Sequence, residues 1–294
     1  MKKGFDGYYV KCVDNDFVVA VIFGKNANKR ERSSFIQIIT KDKAFWFGFG
    51  YGDFTVNRKS FCVSIGNNKV DCDGMKLNLD DGNVKIKCDL KFSTFSKIKY
   101  DAMGPFRFLP FMECRHRVVS MNHRITGIFQ IDEHEHIYNE ADGYIEGDSG
   151  KSFPSKYLWT QCNSFTEHPN ISVVAMCARI PYMGIRFRGK ICIIHIDGRE
   201  YRLATYRGAR VRAFAKDKLV VRQGWGRRRM LLEITAQNPD ENMNELFAPI
   251  RGKMSRKIKE SIIINVHYKF TMGKGKNEKI IFDITSDNAA FEFG

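Results

Sequence analysis

Short runs rich in β-branched and aromatic residues follow one another from the first residues onward. Segments 8–13, 17–23, 34–40 and 44–49 are separated by Asp14-Asn15-Asp16, Asn26-Ala27-Asn28 and Lys41-Asp42-Lys43. Such residues turn a chain because their short polar side chains bond their own backbone. Segments 61–65, 69–72, 75–79 and 84–92 continue at a spacing of 8 to 12 residues, the rhythm of an antiparallel barrel or sandwich. Gly104-Pro105 and Leu109-Pro110 interrupt 99–111, and strands resume at 117–121 and 124–131. The polar stretch 132–142 is the best place for a domain boundary. Beyond it strands are expected at 143–146, 157–165, 171–178, 184–188, 190–196, 200–205, 209–214, 218–222, 230–235, 261–270 and 279–285, with Asp197-Gly198 as a two-residue hairpin turn. Only 238–259 has the polarity and spacing of a short helix or long ordered loop. The pattern predicts an all-β chain of two consecutive antiparallel barrel or sandwich domains, 1–132 and 133–294.

Composition narrows the class. At 294 residues, 43% hydrophobic and 28% charged, the chain can bury two cores without disulfides or metals. No run reaches the ~18 apolar residues of a membrane helix, and Met1-Lys2-Lys3-Gly4-Phe5-Asp6-Gly7 has no apolar signal core. Secretion is therefore not expected. The eight cysteines lack the close pairing of zinc sites and several lie in apolar runs, so they read as reduced thiols in a cytoplasmic protein.

Charge changes the picture more. Of the net +15, thirteen come from 176–259, which holds twenty Lys and Arg against seven Asp and Glu. Such a field attracts a phosphate backbone, an anionic lipid surface or an acidic partner. Arg186, Arg188 and Lys190 recur at period two, as do Arg210 and Arg212, with Ile185, Phe187, Ile191 and Val211 on the opposite side. The basic residues thus belong to the outer face of a sheet or the polar side of a barrel.

Several clusters could carry chemistry. Gly147-Asp148-Ser149-Gly150 resembles a serine-nucleophile tetrapeptide, but no base histidine segment precedes it, and a turn between strands accounts for it better. His134 and His136, with Asp132, Glu133 and Glu135, have ligand-type side chains in a segment that reads as a solvated loop, and no metal site is expected. Glu113, Arg115, His116, Arg117 and His123 crowd one strand-like stretch. There an acid beside an arginine stays ionised, whereas one in an apolar pocket keeps its proton. Gly224-Trp225-Gly226-Arg227-Arg228-Arg229 sets an aromatic beside three arginines, a pairing able to stack a base and hold phosphate. The bland reading is a glycine-rich hairpin with a basic tip. Gly273-Lys274-Gly275-Lys276 lacks P-loop spacing and is a turn.

One segment is specific. Gly143-Tyr144-Ile145-Glu146-Gly147-Asp148-Ser149-Gly150, continuing through Phe153-Pro154 to Trp159-Thr160-Gln161-Cys162-Asn163, resembles the central signature of the tocopherol cyclase family. Phe5-Asp6-Gly7-Tyr8-Tyr9-Val10-Lys11 looks like the family's N-terminal motif, and Ala289-Ala290-Phe291-Glu292 looks like its terminal strand. The resemblance implies a tandem lipocalin-like fold, a small hydrophobic ligand such as a prenylated quinol or lipid, and no cofactor. It also implies an intramolecular lyase that closes a chromanol-type ring by protonating an alkene in a water-poor pocket. The acid candidates are Glu146 and Asp148 from the matched motif, joined by Glu113, His116 and His123 from the residue reading. Trp159 and Gln161 would line the pocket, with Tyr144, Phe153, Asn163 and Arg115 completing the ligand-binding set. The alternative is a non-catalytic carrier of the same kind of molecule, docked through its basic face on an anionic membrane. Nucleic-acid binding ranks last, because no recognised motif accompanies the charge.

Overall fold

A computed structural model describes residues 4–240 and 243–294. Met1 to Lys3, and residues 241 and 242 of the expected helix or loop, lie outside the described residues. Strands dominate, as alternating and β-branched sequence requires, and the only helical pieces among the described residues are short 3-10 turns. None is long and apolar enough to cross a membrane.

The first sheet is built from β1 (Gly4–Val13), β2 (Val18–Ala27), β3 (Arg32–Ile39), β4 (Ala44–Phe49), β5 (Phe54–Asn57), β6 (Cys62–Ile65), β7 (Asn68–Asp71), β8 (Gly74–Asp80), β9 (Lys85–Phe92), β10 (Cys114–Ile131) and β11 (His134–Gly150). Its order is β4-β3-β2-β1-β11-β10-β9-β8-β7-β6-β5. The second uses β12 (Tyr157–Cys162), β13 (Ile171–Tyr182), β14 (Ile185–Ile196), β15 (Arg199–Ala204), β16 (Arg210–Phe214), β17 (Lys218–Gln223), β18 (Met230–Ala236), β19 (Asn244–Ile250), β20 (Lys253–Met272) and β21 (Lys279–Phe293). Its order is β15-β14-β13-β12-β21-β20-β18-β17-β16, with β19 paired to β20. In both sheets the last strand inserts beside the first and every pairing described is antiparallel, so each curls on itself as a lipocalin-like domain around its own core. Tyr8, Val10, Cys12, Phe23, Ile36, Ile86, Phe129 and Ile145 belong to the first core; Leu158, Cys162, Val173, Leu203, Leu232, Tyr268 and Phe291 belong to the second.

The division between units is not at 132. Ile131 and His134 face each other across a tight turn in which Asp132 takes a left-handed φ of 52°, and its carboxylate accepts the Lys85 N–H. The polar stretch 132–142 is thus the end of a hairpin, with Tyr138 and Ala141 buried and its other side chains exposed or half-exposed, and β10 and β11 both belong to the first unit. That unit comprises Met1–Ile98, Cys114–Phe153 and Phe247–Lys257; the second comprises Lys99–Glu113, Pro154–Leu246 and Ile258–Gly294. Each therefore contains a segment flanked in sequence by stretches of the other.

Both exchanged segments are pinned by backbone groups. In the second unit the buried Arg202 guanidinium donates to the carbonyls of Tyr100 and Asp101, at 3.0 Å each, and to the Tyr206 hydroxyl. It stacks on the Tyr100 ring at 3.8 Å and pairs with Glu200, whose other oxygen accepts the Lys99 N–H at 2.7 Å. In the first unit Phe153 N–H donates to Pro249, Gly252 N–H to Lys151 and Arg251 N–H to the Ser152 hydroxyl. The described part of 238–259 is mostly hairpin, β19 returning into β20. Gly147 to Gly150, expected as a turn, form the end of β11.

Candidate active site

Strand geometry decides which polar groups meet. Paired residues on neighbouring strands share a face, and successive residues alternate. In the first unit Tyr8, Val10 and Cys12 point into the core, so Tyr9 and Lys11 lie on the other face. Their partners across β1–β11 are Glu146 and Tyr144, and Asp148 follows at period two. From β10, His116 stands opposite Asp148 and Val118 opposite Glu146. One face of three adjacent strands thus gathers Tyr9, Lys11, His116, Tyr144, Glu146 and Asp148. All but Asp148 are buried, and the Lys11 side chain has no exposure.

His116 is the centre of this cluster. Its Nδ1 lies 3.3 Å from Asp148 Oδ1 and its Nε2 3.7 Å from Glu146 Oε2. Asp148 also accepts from the Cys114 thiol at 3.5 Å, and the Tyr144 hydroxyl donates to Glu146 Oε2 at 2.7 Å. Burial on its own would lower the His116 pKa; the two carboxylates outweigh it and raise the pKa above its ordinary value. The arrangement therefore favours a proton on the buried imidazole between the two acids. Burial and the Glu146 charge push the Tyr144 phenol well up, so it stays a donor. One atom each from His116, Glu146 and Asp148 lie within 4.8 Å of one another, close enough for the three to ligate a single cation.

His123 belongs elsewhere. It pairs with Gly143 on the core face, where the missing Cβ leaves room for its ring between Phe92 and Phe95. Its Nδ1 meets the Ser120 hydroxyl at 3.0 Å, and burial lowers its pKa to about 3. It is a neutral core histidine and does not pair with His116. Arg115 is also on the other face from His116, in register with Ser149. Beside it Arg117 binds Asp6 at 2.9 Å and the Ser149 hydroxyl at 2.7 Å, while Asp6 also pairs with Arg58. Ser149 is thus held as an arginine acceptor. Glu113 precedes β10 and lies in the segment that packs with the second unit. Phe153 packs edge-on against Phe5 at 5.2 Å, as a corner residue of the first unit. His136, expected in a solvated loop, lies in β11 and meets Asp14 at 2.6 Å, and His134 is exposed.

In the second unit Trp159 and Gln161 lie on the face of β12 away from the core. Trp159 is in register with Glu292, which in turn faces Glu260; all three are buried. Tyr157 donates to Glu292, and the Gln161 amide donates to Asn163 at 2.8 Å. The two units thus repeat one device. A glutamate on the last strand sits opposite an aromatic residue on the first, Glu146 with Tyr9 and Glu292 with Trp159, and each glutamate accepts from a tyrosine. Residue reading missed Tyr9, Lys11, Glu260 and Glu292 as site candidates. Lys11 carried a signal, a lone cation inside an apolar strand.

A family model described as tocopherol cyclase-like matches residues 80–294. No curated protein sequence matches the chain. Among solved structures, a kievitone hydratase from Nectria haematococca is similar at 10% identity and a TM-score of 0.55, over 99% of this chain and 88% of that one. A Nitrosomonas europaea protein assigned as AttH is similar at 9% and 0.55, over 100% and 93%. CghA with Sch210972 is similar at 8% and 0.57, over 99% and 88%. At these identities the likeness is one of fold.

Proposed function

Because the chain belongs to the tocopherol cyclase-like family, we propose that it is an acid–base catalyst that isomerises a small hydrophobic molecule by adding the molecule's own hydroxyl across its carbon–carbon double bond. The observation that carries this reading is the buried His116 held between Glu146 and Asp148. Asp148 holds the imidazole through Nδ1, and Nε2 faces Glu146 at 3.7 Å. A proton passed from His116 through Glu146 to the alkene leaves a tertiary cation. Capture by the substrate hydroxyl closes the ring, and that hydroxyl's proton returns through Glu146 to His116. Atoms and charge balance without an oxidant or reductant. A buried site suits the step because it excludes competing water. Trp159 and Gln161 are proposed to contact the ligand, on the strength of the family motif alone.

The test is turnover of a prenylated hydroquinone by the wild type and by Glu146→Gln, His116→Asn and Asp148→Asn. General acid–base catalysis contributes about 10²- to 10⁴-fold, so Glu146→Gln and His116→Asn should lose at least about 100-fold in kcat while ligand still binds. The wild-type rate should fall at alkaline pH, as His116 loses its proton above the ordinary histidine value of 6.5. A chelator should leave it unchanged. Ligand binding without turnover in the wild type would make the protein a carrier and overturn the catalytic reading.

A further inference from the structure

The hairpin that joins β17 to β18 has features the proposed chemistry does not use. Trp225 stands at its tip, 70% exposed, between Gly224 and Gly226. Arg222 lies over the indole at 4.4 Å and Arg210 approaches it at 6.0 Å. Arg210 and Arg222 are direct cross-strand partners, an arrangement that repels. Exposed Arg227 and Arg228 follow within the same turn. Arg229 has Glu278 at 3.6 Å, but the other four arginines have no carboxylate partner among the described residues. Nothing in the fold requires an exposed indole ringed by unneutralised arginines, and the local repulsion would be relieved by an anion from outside.

We propose that this hairpin is a docking surface for an anionic phospholipid bilayer. Tryptophan favours the boundary between acyl chains and headgroups, and neighbouring basic side chains meet the phosphates. Arg222 already covers one face of the indole, against which a nucleobase would otherwise stack; insertion at a lipid interface needs only the exposed tip and edge. Thirteen of the fifteen net charges lie in the sequence around this hairpin, so the wider field attracts the same surface.

The experiment is co-sedimentation of the full chain with phosphatidylcholine vesicles and with vesicles that also contain phosphatidylglycerol. Binding is expected to the mixed vesicles only and should weaken with salt. A juxtamembrane basic residue contributes about a fivefold factor, so Arg210→Gln and Arg222→Gln should each reduce partitioning about fivefold, and Trp225→Ala should reduce it as well. A blue shift of tryptophan emission on binding should vanish in Trp225→Phe, which separates this residue from Trp46 and Trp159. These side chains are exposed or half-exposed, so unchanged circular dichroism will show that the variants fold. Equal binding to neutral vesicles would overturn the proposal. So would variants that bind like the wild type, or a single-stranded RNA that displaces the protein from the vesicles.

Discussion

Seven residues apart on one strand, His116 and His123 have their pKa values moved in opposite directions by the groups around them. The carboxylates beside His116 raise its pKa; burial between the rings of Phe92 and Phe95 lowers that of His123. The two should respond to acid differently. A histidine whose pKa falls from 6.5 to about 3 on folding contributes full stability above 6.5 and loses it as the pH falls towards 3. The loss is about 1.4 kcal/mol per pH unit, or on the order of 3 kcal/mol by pH 4. His123→Leu should therefore lose less stability than the wild type between pH 7 and pH 4, as read by urea unfolding at both. An unchanged pH dependence would show that His123 is not neutral in the native state. The residue pattern identified His116, Glu146 and Asp148 because they lie close together in sequence or in a recognised motif. Tyr9 and Lys11 escaped because their partners arrive from a strand more than 130 positions away. Period two tells which face a side chain takes; it does not tell which strand will stand beside it.

At the scale of the element, turns were legible where backbone chemistry is restrictive. Asp197-Gly198 connects β14 to β15 with both residues at positive φ, the requirement that the sequence signals. Segment 132–142 misled because polar residues on an exposed hairpin resemble a linker. Segment 238–259 misled because the start of β20, from Lys253 to Lys257, is a strand with few buried positions and hence no apolar run. The turn between β19 and β20 depends on Gly252. It has a φ of 75°, and a Cβ there would land on the Ala27 carbonyl and the Gly4 amide. Gly252→Ala should cost about 2 kcal/mol or more, from a left-handed conformation and a backbone clash together. Urea unfolding would measure it, and a loss below about 0.5 kcal/mol, typical of ordinary surface changes, would mean that the turn relaxes freely.

At the scale of the whole molecule, the pattern predicted two β domains in the right class but could not show that each borrows a segment from the other's stretch of sequence. Arg202 is where that borrowing is most exposed to test. Arg202→Met removes the donor to two backbone carbonyls and a hydroxyl and leaves the Glu200 carboxylate buried. Breaking a buried pair in this way costs about 3 to 5 kcal/mol. Because segment 99–113 is continuous with strands of the first unit, the whole chain should still melt in one transition, at a lower temperature. Two separated transitions in calorimetry would show instead that the units unfold independently.

The same exchange sets an order of events during synthesis. The first unit has its sheet once residue 153 has emerged, but it lacks 247–257 until about a hundred more residues have been translated. At ordinary elongation rates that interval is roughly 5 to 20 s. Throughout it the backbone groups of Lys151 and Phe153 and the Ser152 hydroxyl wait without the partners that close over them in the finished chain. Segment 99–113 waits likewise for Arg202. The nascent protein thus carries two open seams, a demand on chaperones that neither half would make if it were sewn only from its own thread.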